Sequence, residues 1–402
     1  MAQATATIAG HRLDRSVLPL LLTLGLGVFL GALDLSVLSP ALPALGRQFD
    51  VAIGDLSWVF TLYLLVNIVG IAIMSTLADR YGRRPVYIAC VVIFTVGSAL
   101  AVLSHSYGIF LLARAIQAFG AGGIFPVATA AIGDVVPPQR RGAALGLVAA
   151  TWGLAAVLGP TYGGLVTHFA SWRWIFAPNF PIAAVVLVLA VRHVPMNAPR
   201  TRGPLDVFGL LLLITGLLFV MYGITGLHGV SIGAGVLMLI FFWLWESASR
   251  FPVVAPKLFT NPQLAKTYVL EILIGVLEGS LFFIPAVLVG AQHLSYAAAG
   301  AIAAVGAFMF VVVIPGSGRA LDRIGSRNVL ITGTLFTEIG LVIFAMGFNS
   351  LLLSIIAMIV AGIGFGALLG APTRYIVSNE TTERTRATAI GLLSPVSYTH
   401  LR

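Results

Sequence analysis

The sequence predicts an all-α integral membrane protein, a bundle of about twelve membrane-crossing helices. Three observations predict it. Hydrophobic residues make up 59% of the chain and charged residues only 9%, against roughly 25% charged in a typical soluble domain. The mean hydropathy is +1.01, so lipid rather than water suits such a surface. The apolar residues fall in runs of roughly 20, the length that crosses a bilayer as a helix, and the ten-residue alternating strands of a membrane barrel are absent.

Each span follows from the chain in order. A short polar lead without a cleavage pattern runs into span 17–39, which is too long for a signal-peptide core. Span 57–77 ends at a cluster of charges, and 85–104 resumes directly after it. Span 108–132 carries Arg114. Span 143–166 is rich in glycine and contains Pro160. The stretch "WRWIFAPNFP" leads into 174–192. Spans 206–226 and 230–248 form a close pair. Span 267–290 carries Glu271 and Glu278. Spans 298–316 and 328–347 flank a second charged cluster, and 351–373 is the last.

Orientation follows from the basic residues. With the N terminus in the cytoplasm, nineteen of the 23 Lys and Arg fall on the cytoplasmic side. Only Arg47 and Arg173 lie outside; Arg114 is within a span and Arg402 at the end. The net charge of +9 is thus a topology signal and implies no nucleic-acid partner. The expected location is a cell membrane, inner or plasma. Cys90 is the only cysteine, which excludes an intrachain disulfide. The seven histidines show no metal-ligand spacing.

The chain repeats itself. "LADRYGRRPV" from Leu77 is echoed by "GRALDRIGSRNV" from Gly318, and Asp79 and Asp322 are 243 residues apart. "GAALGL" from Gly142 matches "ATAIGL" from Ala387, 245 residues on. Two repeats of one orientation fit a parallel-repeat transporter with its path between the halves. The expected organisation is a cytoplasmic N terminus 1–15 and a six-helix bundle 16–194. An inserted helix pair with loops follows at 195–264, then a partial second bundle 265–392 and a tail 393–402 expected to be non-native. The second repeat lacks two helices: "ATAIGLL" gives way to the polar "SPVSYTHLR". About twelve of fourteen expected helices are therefore present, and the expectation is that a longer form transports where this length does not.

The motifs resemble those of the major facilitator superfamily. "STLADRYGRR" is similar to its loop signature, with Ser75 where Gly is usual; the second copy keeps Gly318. "LARAIQAFGAGG" resembles the Arg-x-x-Gln-Gly signature, with Ala118 in place of Gly. "GLAAVLGPTYGG" resembles the antiporter signature, comprising Gly153, Gly159, Pro160, Gly163 and Gly164. "ALDLSVLSPALP" and "WRWIFAPNFP" look like the fourteen-helix drug:proton antiporter branch. The resemblance implies proton-coupled antiport exporting hydrophobic or cationic drugs. An exporter of one metabolite or lipid-like compound is the alternative, and a membrane enzyme or receptor on the same scaffold is a third class. No nucleophile–base pair, metal set or phosphate loop supports an enzyme. The proton gradient is the expected energy source, with no cofactor; the partners are the small substrate, protons and the lipid bilayer.

Three constellations carry the expected chemistry. Asp79, Arg80, Gly82, Arg83 and Arg84, with Asp322, Arg323, Gly325 and Arg327 in the second copy, form a cytoplasmic gate. Gly82 permits the tight turn. Asp79 pairs with Arg83 or meets a helix N terminus across the interface; Asp322 would lie near Arg141 and Gly142, and Asp79 near Arg386. A topology anchor is the simpler reading, but anchoring alone requires neither Asp nor Gly. In the antiporter motif, small residues allow close helix packing and Pro160 kinks the helix; the resemblance implies that this bend favours exchange. The third constellation is charge within the bilayer, which costs about 2.5–3.5 kcal/mol per residue on the insertion scale. Asp34, about 27 Å along its span, is placed near the outer mouth to take protons or meet a cation. Arg114 is placed to pair with a carboxylate, and Glu278 lies near the midplane as a reversible proton carrier. Glu271 reads as interfacial and Glu338 as a peripheral charge.

Overall fold

The computed structural model describes residues 17–52, 54–136, 138–196, 206–226, 228–249, 259–347, 349–369 and 372–380. Among them every regular element is helical. Eleven helical stretches are long and apolar enough to cross a membrane. They account for eleven of the twelve expected spans, and the twelfth, 143–166, is the helix Pro138–Phe169. The N terminus 1–15 and the tail 393–402 lie outside the described residues.

Helix α1 (Leu18–Ser36) turns through a 3₁₀ segment, Ser39–Ala41, into the short α2 (Leu42–Phe49). Then follow α3 (Trp58–Tyr81), α4 (Arg83–Leu103), α5 (Tyr107–Val135), α6 (Pro138–Phe169) and, after the 3₁₀ turn Trp172–Phe176, α7 (Asn179–His193). Local chemistry explains several starts. Ser106 caps α5 by accepting from Ile109 N at 3.3 Å. Prolines sit within α5 (Pro126) and α6 (Pro160), where each removes one backbone donor.

These helices form a first bundle. One core cluster lies toward the α3–α4 turn, around Leu24, Tyr87, Cys90 and Phe94. A second lies toward the opposite end, around Leu38, Phe60, Phe110 and Trp172. Tyr87 Oη lies 3.3 Å from Thr23 O and so ties α4 to α1. At the opposite end Arg173 donates to Val102 O at 3.0 Å and Ser104 O at 2.7 Å, closing the C-terminal end of α4. Cations at a helix C terminus complement its unpaired carbonyls.

Helices α8 (Val207–Thr225) and α9 (Gly229–Ala248) pack together as a hairpin, with α8 against α3. Asp206 caps α8 by accepting from Gly209 N at 2.8 Å. It also accepts from Trp245 Nε1 at 2.9 Å and Ser249 Oγ at 2.9 Å. Partial burial works against its charge, but these donors outweigh it and hold the Asp206 carboxyl below its usual range.

The second bundle comprises α10 (Pro262–Ala291), α11 (Tyr296–Gly347), α12 (Leu351–Leu368) and α13 (Pro372–Asn379). Asn261 caps α10 by accepting from Gln263 N at 2.8 Å. α11 comprises two helices joined at the non-helical Gly325, which separates the spans Tyr296–Ile314 and Arg323–Gly347. The last expected span, 351–373, is shorter in the structure, since α12 ends at Leu368 before α13 begins. Large apolar side chains such as Leu112, Val188, Phe241 and Val342 are exposed on the outer faces, as a lipid-facing surface requires.

Candidate functional site

Arg114 and Gln117 are three residues apart on α5, so both project from one face. That face meets α1 at Asp34, and all three side chains have no exposed surface. Arg114 Nη1 donates to Asp34 Oδ2 at 2.5 Å and to Gln117 Oε1 at 2.8 Å. Gln117 Nε2 donates to Asp34 Oδ1 at 3.0 Å and to Ser98 Oγ on α4 at 2.8 Å. Asn179, the first residue of α7, donates to the same two oxygens, each at 3.0 Å. The guanidinium carbon lies 4.1 Å from the centroid of the Tyr63 ring on α3. Three helices of the first bundle, α1, α5 and α7, thus meet at one carboxylate, α4 joins them through Ser98, and α3 covers the arginine.

A buried ion pair is tolerated only when its desolvation is offset by close geometry and further hydrogen bonds. Asp34 meets that condition with three donors. Arg114 does so in part: among the described residues its Nε and Nη2 atoms have no hydrogen-bond partner, and the Tyr63 π face is their neighbour, a favourable seat for a cation. Asp34 is accordingly enclosed within the bundle, with no exposed surface. Position along a helix says nothing about the direction of the side chain.

Beyond the same stretch of α1 lies an apolar cavity of about 150 Å³ between the two bundles. Ser36, Ser39, Trp152 and Pro160 line it from the first bundle, and Phe310 and Phe365 are among the residues that close it from the second. All of its described lining residues are uncharged. Ser36 Oγ lies 3.0 Å from Ala155 O on α6. Asp34 and Ser36 are two residues apart on α1, yet one faces the polar cluster and the other the cavity.

The glycine motif lies on α6, where the bundles touch. A Cβ on Gly164 would collide with the carbonyl of Tyr296, and one on Gly300 with the carbonyl of Pro160. Gly153 faces Val311 of α11, while Gly159 and Gly163 face Ser36 and Val37 of α1. The five motif residues are thus shared between packing inside the first bundle and contact with the second. Nearby, Arg47 lies over the Tyr296 ring at 5.5 Å, and Phe60 meets Phe283 edge-on at 6.0 Å.

At the α3–α4 turn, Gly82 has φ 96° and ψ 160°; at the break in α11, Gly325 has φ 78° and ψ 160°. That region of backbone space is nearly exclusive to glycine. Arg83 Nε donates to Asp134 Oδ2 near the end of α5 at 3.1 Å, and Arg84 Nε to Val194 O at the end of α7 at 2.6 Å. Arg80, Arg323 and Arg327 are exposed. Asp79 lies in the last turn of α3 and Asp322 just before Gly325 on α11, while Glu278 lies within α10; their side chains are outside the description. So are the side chains of Arg141 and Gly142 and the whole of Arg386, where the cross-bundle latch was expected. Glu271 is buried and Glu338 exposed. Ser98 and Asn179 were not singled out from sequence. The available signal was their type, polar residues within or at the start of apolar spans.

The model of the Major Facilitator Superfamily matches residues 24–398. The MFS-type transporter YfiU of Bacillus subtilis is 34% identical over 395 residues, 92% of this chain and 75% of that protein. The efflux pump dotC of Dothistroma septosporum is 32% identical over 257 residues, 60% of this chain and 44% of its own length. The chain therefore spans less than half of that second relative. In fold it is similar to a bacterial homologue of the human lysosomal transporter Spinster, with a TM-score of 0.70 at 19% identity over 96% of this chain and 81% of the other. The chain belongs to the Major Facilitator Superfamily.

Proposed function

From that membership we propose a proton-coupled exporter of small apolar compounds, in which cargo and proton use opposite faces of α1. One observation carries the reading: an uncharged cavity between the bundles lies two residues along α1 from a fully buried Asp34–Arg114 pair. Intramembrane charge is costly and is retained where it works. Asp34 takes up and releases the proton, Arg114 returns it to the charged state, and α1 conveys the change to the cavity wall. Glu278, one turn before the cavity residue Leu281 on α10, is a second candidate carrier.

The lining favours a neutral, lipid-like or metabolite-like cargo over a cation, because a desolvated cation needs a facing carboxylate. The fourteen-helix drug:proton antiporter branch is the subfamily we assign. The α8–α9 hairpin, the glycine motif on α6 and the efflux pump among the relatives support it. The N terminus is taken as cytoplasmic from the sidedness of Lys and Arg. The test is transport by the full chain in vesicles under an imposed pH gradient, using a neutral and a cationic fluorophore of matched size. Gradient-dependent extrusion of the neutral probe is expected. Movement that ignores the gradient, or a strict preference for the cation, overturns the reading.

A further inference from the structure

Asn179 and Gln117 make matching contacts. Each amide nitrogen bridges Asp34 Oδ1 and Ser98 Oγ, which closes a ring of two donors and two acceptors. Ser98 Oγ lies 3.1 Å from Phe94 O, so its own proton points out of the ring and its lone pairs point in. The two amides are nevertheless not equivalent. Gln117 Oε1 is held by Arg114 Nη1 at 2.8 Å, and turning that amide would set donor against donor. Among the described residues no hydrogen bond holds Asn179 Oδ1, so a half-turn of this amide costs only the turn of the Ser98 hydroxyl from Phe94 O to donate to it.

The chemistry of a titrating carboxyl gives the half-turn a use. A charged carboxylate only accepts; once protonated at Oδ1 it has a donor there and needs an acceptor. An amide offers both from one position. We infer that Asn179 is a positioning residue of the proton step, donating to Asp34 while it is charged and turning to accept from it when a proton from water has bound Oδ1. The step breaks one O–H bond of a hydronium ion, which leaves as water, and forms one on Asp34, whose charge goes from −1 to zero. The positive Arg114 is then left against Tyr63. Arg114 on α5 is the charged group in contact with Asp34, and Tyr63 on α3 covers it. The uncharged Asn179 of α7 contacts Asp34 directly, the uncharged Ser98 of α4 reaches it through the two amides, and α6 meets α1 nearby through Ala155 and Gly159.

This inference rests on the reading of Asp34 as the carrier, so its test separates the two. Infrared difference spectra of the full chain in detergent are recorded against pH. The Asp34 carboxylic band is assigned by its loss in Asp34→Asn. Asn179→Leu removes the stronger, charge-assisted bond of the charged form and the weaker bond of the protonated form, so the midpoint of that band should move alkaline by about one pH unit. Asn179→Ser keeps a hydroxyl that donates or accepts and should move it less. Should the leucine variant not fold, Ser98→Ala, which removes the anchor of both amides, should shift the midpoint in the same direction. A merely structural Asn179 would lower thermal stability and leave the midpoint alone. A band that titrates with unshifted midpoints in these variants overturns the inference alone. The absence of any titrating Asp34 band overturns the proton reading and this inference together.

Discussion

Arg114 Nη1 lies 2.5 Å from Asp34 Oδ2 across a sequence gap of 80 residues, and neither side chain has exposed surface. The two charges therefore depend on each other more than either depends on solvent. Removing one partner of such a pair leaves the other uncompensated and costs about 3–5 kcal/mol, whereas removing both costs far less. Asp34→Asn and Arg114→Gln should each lower thermal stability strongly in detergent, and the double variant should recover much of the loss. None of the three should couple transport to a pH gradient. Additive destabilisation in the double variant would contradict an interacting pair.

Gly82 and Gly325 share a backbone conformation that alanine adopts only under strain of about 1–3 kcal/mol. Gly82→Ala and Gly325→Ala should each lower the unfolding temperature, whatever room surrounds them. No neighbour lies within 4 Å of a Cβ built at Gly325, so a loss there reports conformation alone. Unchanged melting of Gly325→Ala would show that the break in α11 relaxes freely.

The contact of Gly300 with the Pro160 carbonyl is backbone against backbone, so a side chain there has nowhere to go. Gly300→Val should prop α6 and α11 apart at this level. The expected result is a protein that remains monodisperse, because each bundle keeps its own core, but transports at a small fraction of the native rate. A native transport rate in Gly300→Val would mean that the two helices do not meet as described.

Asp206 holds the α8–α9 hairpin through Gly209, Trp245 and Ser249. Asp206→Ala should cost about 0.5–2 kcal/mol, the usual worth of a helix cap. Because its folded-state value is lowered, the carboxylate stabilises the hairpin at neutral pH, and that contribution disappears as pH falls below about 4. Melting curves of the native and alanine proteins should therefore converge in acid. A constant gap between them down to strong acid would exclude the carboxylate as the cause.

Much of this protein is legible in one dimension. Solvent imposes a simple rule on a membrane chain: each crossing must be helical, apolar and about as long as the bilayer is thick. Spans such as 85–104 and 230–248 therefore match α4 and α9 within two residues at either end. The offset of 243 residues between the charged clusters anticipated that Gly82 and Gly325 adopt equivalent turns. Asp34 and Arg114 announced themselves as charges in hydrocarbon, and the glycine motif as a packing surface.

Their partners were decided only in three dimensions. Depth along a helix is proportional to residue number, but azimuth depends on how helices pack, and no local signal encodes which of several neighbours a side chain will meet. So Asp34 faces Arg114 inside the bundle, while Ser36 two residues on faces the cavity. Asn179 begins α7 one place past the capping position, which Pro178 holds, so its side chain has no local helix end to satisfy. It donates instead to a carboxylate 145 residues away. Sequence alone determined that this chain lives in lipid, repeats itself and buries charge. Tertiary packing determined which groups satisfy that charge, because a buried ion has no water and must take its partners from whichever helices converge upon it.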